Sequence, residues 1–257
     1  IPTAVDITTL ENVLIQNLPN RYKSDVLISG SIYPERMEWI VKHKHILEKF
    51  NTLIIGRTRL EYNDPWLKTV FVNGLLPYQE FFKYELGSKI CLDIPRDENI
   101  SYPHGHKNSR GIKASNLSPR IYEMGLAGTC IFTDNSREGI KELFPDNSYV
   151  IYDENNLEEK LKFYLDNADE RLIVSGSART YVITHHTYIH RAQKIINIVG
   201  DSEGYSWQGI MENKAAVTNK TVTDRFGDLW KDNFEANKKI FPQCGQFEPS
   251  AIHYLCE

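Results

Sequence analysis

Six short apolar runs, set apart by amphipathic or polar stretches, constrain this chain more than anything else in it. Residues 26–29, 52–55, 70–72, 89–94, 129–133 and 149–152 have the length and the composition of strands. Helical patterns lie between and after them, over about 34–50, 77–86, 118–127, 138–143, 157–167 and 169–199. Strands that alternate with helices predict an α/β unit, a mostly parallel sheet covered by helices on both faces. Residues 57–65 read as a loop. Residues 95–117 read as a long polar insertion rich in Gly, Asn, Ser and His, and loops of that length are mobile or functional. Residues 1–24 suit a linker, 25–200 the α/β domain, and 201–257 an irregular or helical tail with scattered aromatic residues.

Composition narrows the function classes. With 41% hydrophobic and 25% charged residues, the 257-residue chain is that of a globular protein able to bury a core. A net charge of −4 lacks the basic field of a nucleic-acid binder. No apolar run approaches the ~20 residues of a membrane-spanning helix, and the start, Ile1 to Asp6, does not resemble a signal peptide. Four scattered cysteines make no disulfide framework. Cys91 and Cys130 lie in predicted strands and Cys244 and Cys256 in the tail, so a reducing, cytoplasmic setting is expected. P-loop, Gly-x-Ser-x-Gly and Cys-x-x-Cys signatures are missing, which removes the kinase and hydrolase readings. Gly125 and Gly128 stand at the end of a helix rather than its entrance, unlike a dinucleotide fingerprint.

The most informative stretch runs from Ser118 to Asp134. Ser118 is a favourable N-cap, Pro119 fits a first helical turn, Ile121, Met124 and Leu126 recur at helical spacing, and Gly128 ends the run before a strand. Arg120 and Glu123 then fall in the first turn or so of a helix packed on a parallel sheet. Free N–H groups and partial positive charge at that end suit an anion such as a diphosphate. A carboxylate one turn in can accept hydrogen bonds from both hydroxyls of a ribose. The plainer alternative is an i,i+3 ion pair, worth a few tenths of a kcal/mol.

Other groups gather at the same predicted sheet edge. Gly30 and Ser31 follow the first strand, where open α/β sheets bind ligands. Arg36 is placed to reach a phosphate and Tyr33 to cover a nucleotide, against a tight strand-to-helix turn with a solvated arginine and a tyrosine that only packs. Asp93 ends a strand at that edge and is a candidate catalytic residue of the site. His104 and His106, with Lys107 and Arg110, lie in the insertion and are candidates for proton transfer or an anion contact, against a solvated polar loop. His186 and His190 are spaced for one helix face, but without a third ligand they fit capping and packing better than metal.

Arg120-x-x-Glu123-x-x-x-x-Gly128 entering an apolar strand resembles the donor-binding helix of GT-B glycosyltransferases, which have two Rossmann-like domains. Residues 25–36 resemble the first strand and loop of the donor half in the CgeB-like (spore maturation protein) group. Asn167 to Arg171 and His186 to Arg191 resemble its closing helices. The resemblance covers roughly residues 25–197, and the exostosin-like enzymes are near relatives. It implies a Rossmann-like donor half of a group 1 glycosyltransferase, a hexosyl- or pentosyltransferase. The donor implied is a UDP-sugar or GDP-sugar, with no further cofactor and no metal, and the acceptor a glycan, protein or small molecule. By the same resemblance Gly30, Ser31, Tyr33, Arg36, Ser118 and Arg120 line the diphosphate and sugar, and Glu123 holds the ribose. The turn carrying Leu75 and Leu76, within Asn73 to Pro77, presents its backbone to the base. Ile1 to Asp6 resembles the passage from an acceptor half, so an N-terminal acceptor domain or a homo-oligomeric partner is expected. In inverting relatives the catalytic base comes from that acceptor half. Ser115 and Ser118 depart from the family, which commonly has a glutamate and an asparagine there. A donor-binding module acting with a partner chain, or a vestigial interaction domain, are the alternatives.

Overall fold

A computed structural model of the chain describes residues 3–6, 18–94, 117–136 and 138–203. His104, His106 and Ser115 in the insertion, and the tail from residue 204, lie outside the described residues. The chain divides into two compact units, Ile1–Ala192 and Gln193–Glu257. The first carries the sheet, and in the second only residues 193–203 are described.

Six strands form one sheet: β1 (Ser24–Ser29), β2 (Thr52–Gly56), β3 (Phe71–Asn73), β4 (Ser88–Asp93), β5 (Cys130–Asp134) and β6 (Val150–Tyr152). Their order is β3-β2-β1-β4-β5-β6, and every neighbouring pair is parallel. The helices are α1 (Pro34–Lys42), α2 (Lys44–Leu47), α3 (Pro65–Val70), α4 (Tyr78–Gly87), α5 (Pro119–Ala127), α6 (Glu138–Leu143), α7 (Leu157–Asp166), α8 (Ala168–His185) and α9 (Tyr188–Glu203).

Successive strand residues enter two apolar layers. Leu27, Cys91 and Ile131 pack with Phe82 of α4, Ile121 of α5 and Val182 of α8. Val26, Ile28, Ile90 and Phe132 pack with Ile40 of α1, Leu67 of α3 and Leu161 of α7. Burial on both faces explains why these strands read as continuous apolar runs. The predicted α/β architecture is the observed one.

Three elements differ from the sequence reading. The helix over 34–50 is broken at His43, whose ring stacks on Trp39 at 4.1 Å and whose backbone leaves helical geometry (φ −97°, ψ 10°). Helix α3 stands directly before β3; Asp64 caps it, accepting from Trp66 N at 2.8 Å and Leu67 N at 3.2 Å, with Pro65 at N1. The closing helix is two helices, α8 and α9. Between them Val5 donates to the His186 carbonyl at 3.0 Å and accepts from Tyr188 N at 3.1 Å. Among the described residues no helix is long and apolar enough to cross a membrane.

After β3 the chain crosses over to lay β4 against the opposite side of β1, so the strand order reverses between β1 and β4. Loops leaving the carboxyl ends of those two strands diverge, and the crevice between them is where open α/β sheets accept ligands.

Candidate functional site

Two glycines shape the floor of that crevice. Gly30 follows β1 with φ +109°, its N–H still donating to the Ile55 carbonyl at 2.8 Å. Gly56 closes β2 with φ +151°, so near that a Cβ on it would stand 1.8 Å from the Gly30 carbonyl oxygen. Only residues without a Cβ let the two loops meet in this way. Against Gly30 lies the Arg120 guanidinium, whose Cζ is 2.5 Å from the place a Gly30 Cβ would take. The same guanidinium sits 5.1 Å from the centre of the Phe81 ring.

Helix α5 carries Arg120 in its first turn. Pro119 occupies N1 as expected, and Gly128 ends the helix in the left-handed region (φ +74°). There its N–H donates to the Gly125 carbonyl at 3.0 Å, and Thr129 N to the Met124 carbonyl at 3.2 Å. Ser118 is the N-cap residue by position, but its hydroxyl makes no capping bond. Ile121 N donates to the Ser118 carbonyl instead, at 3.1 Å, and the hydroxyl is buried with no hydrogen-bond partner among the described residues. The ion pair that the Arg120–Glu123 spacing allows is not made. Among the described residues no hydrogen bond or ion pair engages the Arg120 guanidinium. Burial raises the Glu123 carboxyl above its ordinary value, opposed by the Arg120 charge and by a hydrogen bond from Tyr78.

Sequence reasoning missed Glu85. It lies on α4, fully buried, and accepts from Ser29 Oγ at 3.2 Å. Burial, then the Glu123 charge, push its carboxyl up to about 8, against Arg120 and the Ser29 bond. The signal was present: a glutamate within the apolar run Phe81, Phe82, Tyr84, Leu86.

The other candidates are placed as follows. Arg36, expected at a phosphate, is 8% exposed; its Nε donates to the Ile94 carbonyl at 2.9 Å and its Nη1 to the Ser31 carbonyl at 3.0 Å. It ties the loop after β1 to the end of β4. Tyr33 is the N-cap residue of α1 without a side-chain cap, and Ser31 is exposed at the crevice. Asp93 is buried at the end of β4, in register with Thr133. The Asn73–Gly74 turn is pinned to the loop after β2, Gly74 N donating to the Gly56 carbonyl at 2.9 Å and Thr58 N to Asn73 Oδ1 at 3.0 Å. Beyond it Leu75 is 78% exposed, while Leu76 packs against the core.

His186 is buried, with Nε2 2.8 Å from the Leu143 carbonyl and Nδ1 2.6 Å from Arg191 Nη2. A carbonyl only accepts and a guanidinium only donates, so the proton is on Nε2. Burial first, then the Arg191 charge, lower its pKa to about 4. His190 Nδ1 lies 2.7 Å from Thr187 Oγ1. Both histidines serve the α8–α9 junction. Among the described residues no three His, Cys, Asp or Glu side chains converge as metal ligands. A shallow groove of about 340 Å³ along Pro145, Ser177, Tyr181 and His185 shares no residue with the crevice.

A six-stranded parallel sheet in this order, with a guanidinium and a helix N-terminus at its switch crevice, defines a Rossmann-like α/β unit. Residues 14–197 match the glycosyl transferase-like family, and the chain belongs to that family. Its fold is that of GT-B glycosyltransferases. It is similar to sucrose-phosphate synthase from Thermosynechococcus elongatus (12% identity over 79% of this chain and 52% of that one, TM-score 0.54). It is also similar to AviGT4, a glycosyltransferase involved in avilamycin A biosynthesis (13%, 77% and 55%, TM-score 0.54). A third similar structure is WaaG, a glycosyltransferase involved in lipopolysaccharide biosynthesis (14%, 78% and 56%, TM-score 0.50). At these identities the likeness is one of fold, and the chain spans about half the length of these structures. No curated protein matches it by sequence.

Proposed function

We propose that this chain binds a nucleotide-diphosphate sugar at the carboxyl edge of its sheet, as the donor-binding half of a CgeB-like glycosyltransferase. The observation that carries the reading is Arg120. Its guanidinium rests on Gly30 at the switch crevice, in the first turn of a helix, with no ion pair or hydrogen bond among the described residues. A cation left in that state beside a helix N-terminus suits a diphosphate. As the bond to the sugar breaks, negative charge grows on the departing diphosphate, and the same groups stabilise it without a metal. The buried Ser118 hydroxyl can meet a phosphate or sugar oxygen. Glu123 accepts from the ribose hydroxyls, and Leu75 with the backbone around it offers the base an apolar edge. Arg36 acts on the diphosphate indirectly, by fixing the loop that carries Gly30. The transferred group is a hexosyl or pentosyl unit, and the acceptor supplies a hydroxyl.

The test is calorimetric titration of UDP, GDP and their sugars, followed by an assay for nucleotide release with and without acceptor. Binding that is lost in Arg120→Ala supports the reading, and failure of both nucleotides to bind refutes it.

A further inference from the structure

Helix α4 carries a carboxyl group to which the donor site as described gives no task. Glu85 is 0% exposed, Ser29 Oγ donates to its Oε1 at 3.2 Å, and its Oε2 has no hydrogen-bond partner among the described residues. An ionised carboxylate tolerates such a position poorly, whereas a protonated one fits it.

The groups facing Glu85 come from three elements: the Ser29 hydroxyl from β1, the Cys91 thiol from β4, and Arg120 and Glu123 from α5. On α4 itself Glu80 and Tyr84 turn toward Tyr22, and Lys83 pairs with Glu80. Burial raises the Cys91 thiol well above its ordinary value, so it stays neutral. The local charge is therefore set by Arg120, Glu123 and Glu85. With both carboxyls ionised the trio carries one net negative charge, and a diphosphate approaching Arg120 is repelled. With Glu85 protonated the trio is neutral, and Glu123 keeps the ionised form that accepts hydrogen bonds. Two interacting carboxyls that share a site in this way do not both ionise readily.

We infer that Glu85 is a positioning residue of the donor site, holding a proton at neutral pH so that Glu123 stays ionised beside Arg120, and that losing this proton weakens nucleoside diphosphate binding. The inference rests on the donor-site reading above. The carboxyl, pushed up to about 8, titrates where the effect is measurable. Above that range each diphosphate bound takes up a proton from solvent, and below it none.

The test uses the full chain as wild type, Glu85→Gln and Ser29→Ala, with UDP and GDP affinities measured from about pH 7 to about pH 9.5, above the titration of the phosphate itself. In the wild type Kd rises up to about tenfold per pH unit above the midpoint, and calorimetry in buffers of different ionisation enthalpy reads the proton uptake. Glu85→Gln removes the slope. Ser29→Ala moves the midpoint to higher pH, because the lost hydrogen bond favoured the ionised form; a purely structural role would leave it in place. A flat wild-type profile, or a Glu85→Gln profile with the wild-type slope, overturns the inference. Urea denaturation of the same variants reads the proton without ligand: proteins that keep Glu85 lose stability as pH rises from about 6.5 toward 8, and Glu85→Gln lacks that fall. If neither nucleotide binds at any pH, the donor reading fails and takes the ligand role of Glu85 with it. If both bind with a flat profile, the inference about Glu85 alone falls.

Discussion

Replacing Gly30 by alanine separates the shape of the crevice from its chemistry. At φ +109° the backbone lies where residues with a Cβ are strained, at about 1–3 kcal/mol. In a unit of this size that lowers Tm by roughly 2–12 °C. The new Cβ would also stand 2.5, 2.6 and 2.7 Å from Cζ, Nη2 and Nε of Arg120. Those atoms end a flexible side chain, so Arg120 turns away from the crevice and the fold survives. Moving a guanidinium off a diphosphate removes charge-assisted hydrogen bonds worth about 1.5–3 kcal/mol, roughly 10- to 150-fold in Kd. UDP and GDP titrations of Gly30→Ala, Arg120→Ala and the double variant measure this. Because the glycine acts on the ligand through the arginine, the double variant binds no more weakly than Arg120→Ala alone. Gly56→Ala is the contrast: its Cβ would meet the Gly30 carbonyl at 1.8 Å, and backbone cannot swing aside, so it loses more stability than Gly30→Ala. The reasoning is refuted if Gly30→Ala leaves affinity intact, or weakens it equally with Arg120 already gone.

Wild type should prefer UDP over its 2′-deoxy analogue by about tenfold, one charge-assisted hydrogen bond, and Glu123→Ala should bind both alike; a preference that persists removes Glu123 from the ribose. Arg36→Met strips the donors from the Ile94 and Ser31 carbonyls and should lower unfolding free energy by about 2–4 kcal/mol; an unchanged urea midpoint contradicts the tie. Acid costs stability through His186, lowered from 6.5 to about 4, and base costs it through Glu85, raised from 4.5 to about 8. The two slopes oppose each other up to pH 6.5, above which Glu85 acts alone, so stability falls by about 2 kcal/mol from there to pH 8; a rise over that interval in a urea series refutes this balance.

The sheet was legible because each strand is buried on both faces, and such burial demands an unbroken apolar run. Helix α5 was legible because Pro119 and Gly128 mark its two ends with conformational requirements of their own. Helix α3 was overlooked although Asn63-Asp64-Pro65 carries an N-cap followed by a proline at N1. Its six residues are too few for periodicity to reveal. The break between α8 and α9 left no such mark. It is made by Val5, more than 180 positions earlier in the chain, which takes backbone bonds that a continuous helix would have made within itself. Glu85 escaped for a related reason: a glutamate on an apolar stripe is visible, but its meaning depends on Ser29, Arg120 and Glu123, which only the fold brings to it.

The two arginines show how the fold divides a role that the sequence leaves shared. Arg36 and Arg120 each follow a proline in the first turn of a helix, and each is placed by its motif near a phosphate. Arg36 faces the carbonyls of Ser31 and Ile94, groups that end the loop after β1 and the strand β4 on the two sides of the switch point. Those acceptors are fixed and nearby, so its guanidinium is held and largely buried. Arg120 meets a glycine where another residue would present a side chain, and finds no acceptor among the described residues. One guanidinium thus fixes the loop, and the loop, through Gly30, gives the other a surface to rest on while its hydrogen bonds stay open to an anion. Removing Arg36 should therefore weaken diphosphate binding only as far as it loosens Gly30, whereas removing Arg120 weakens it directly.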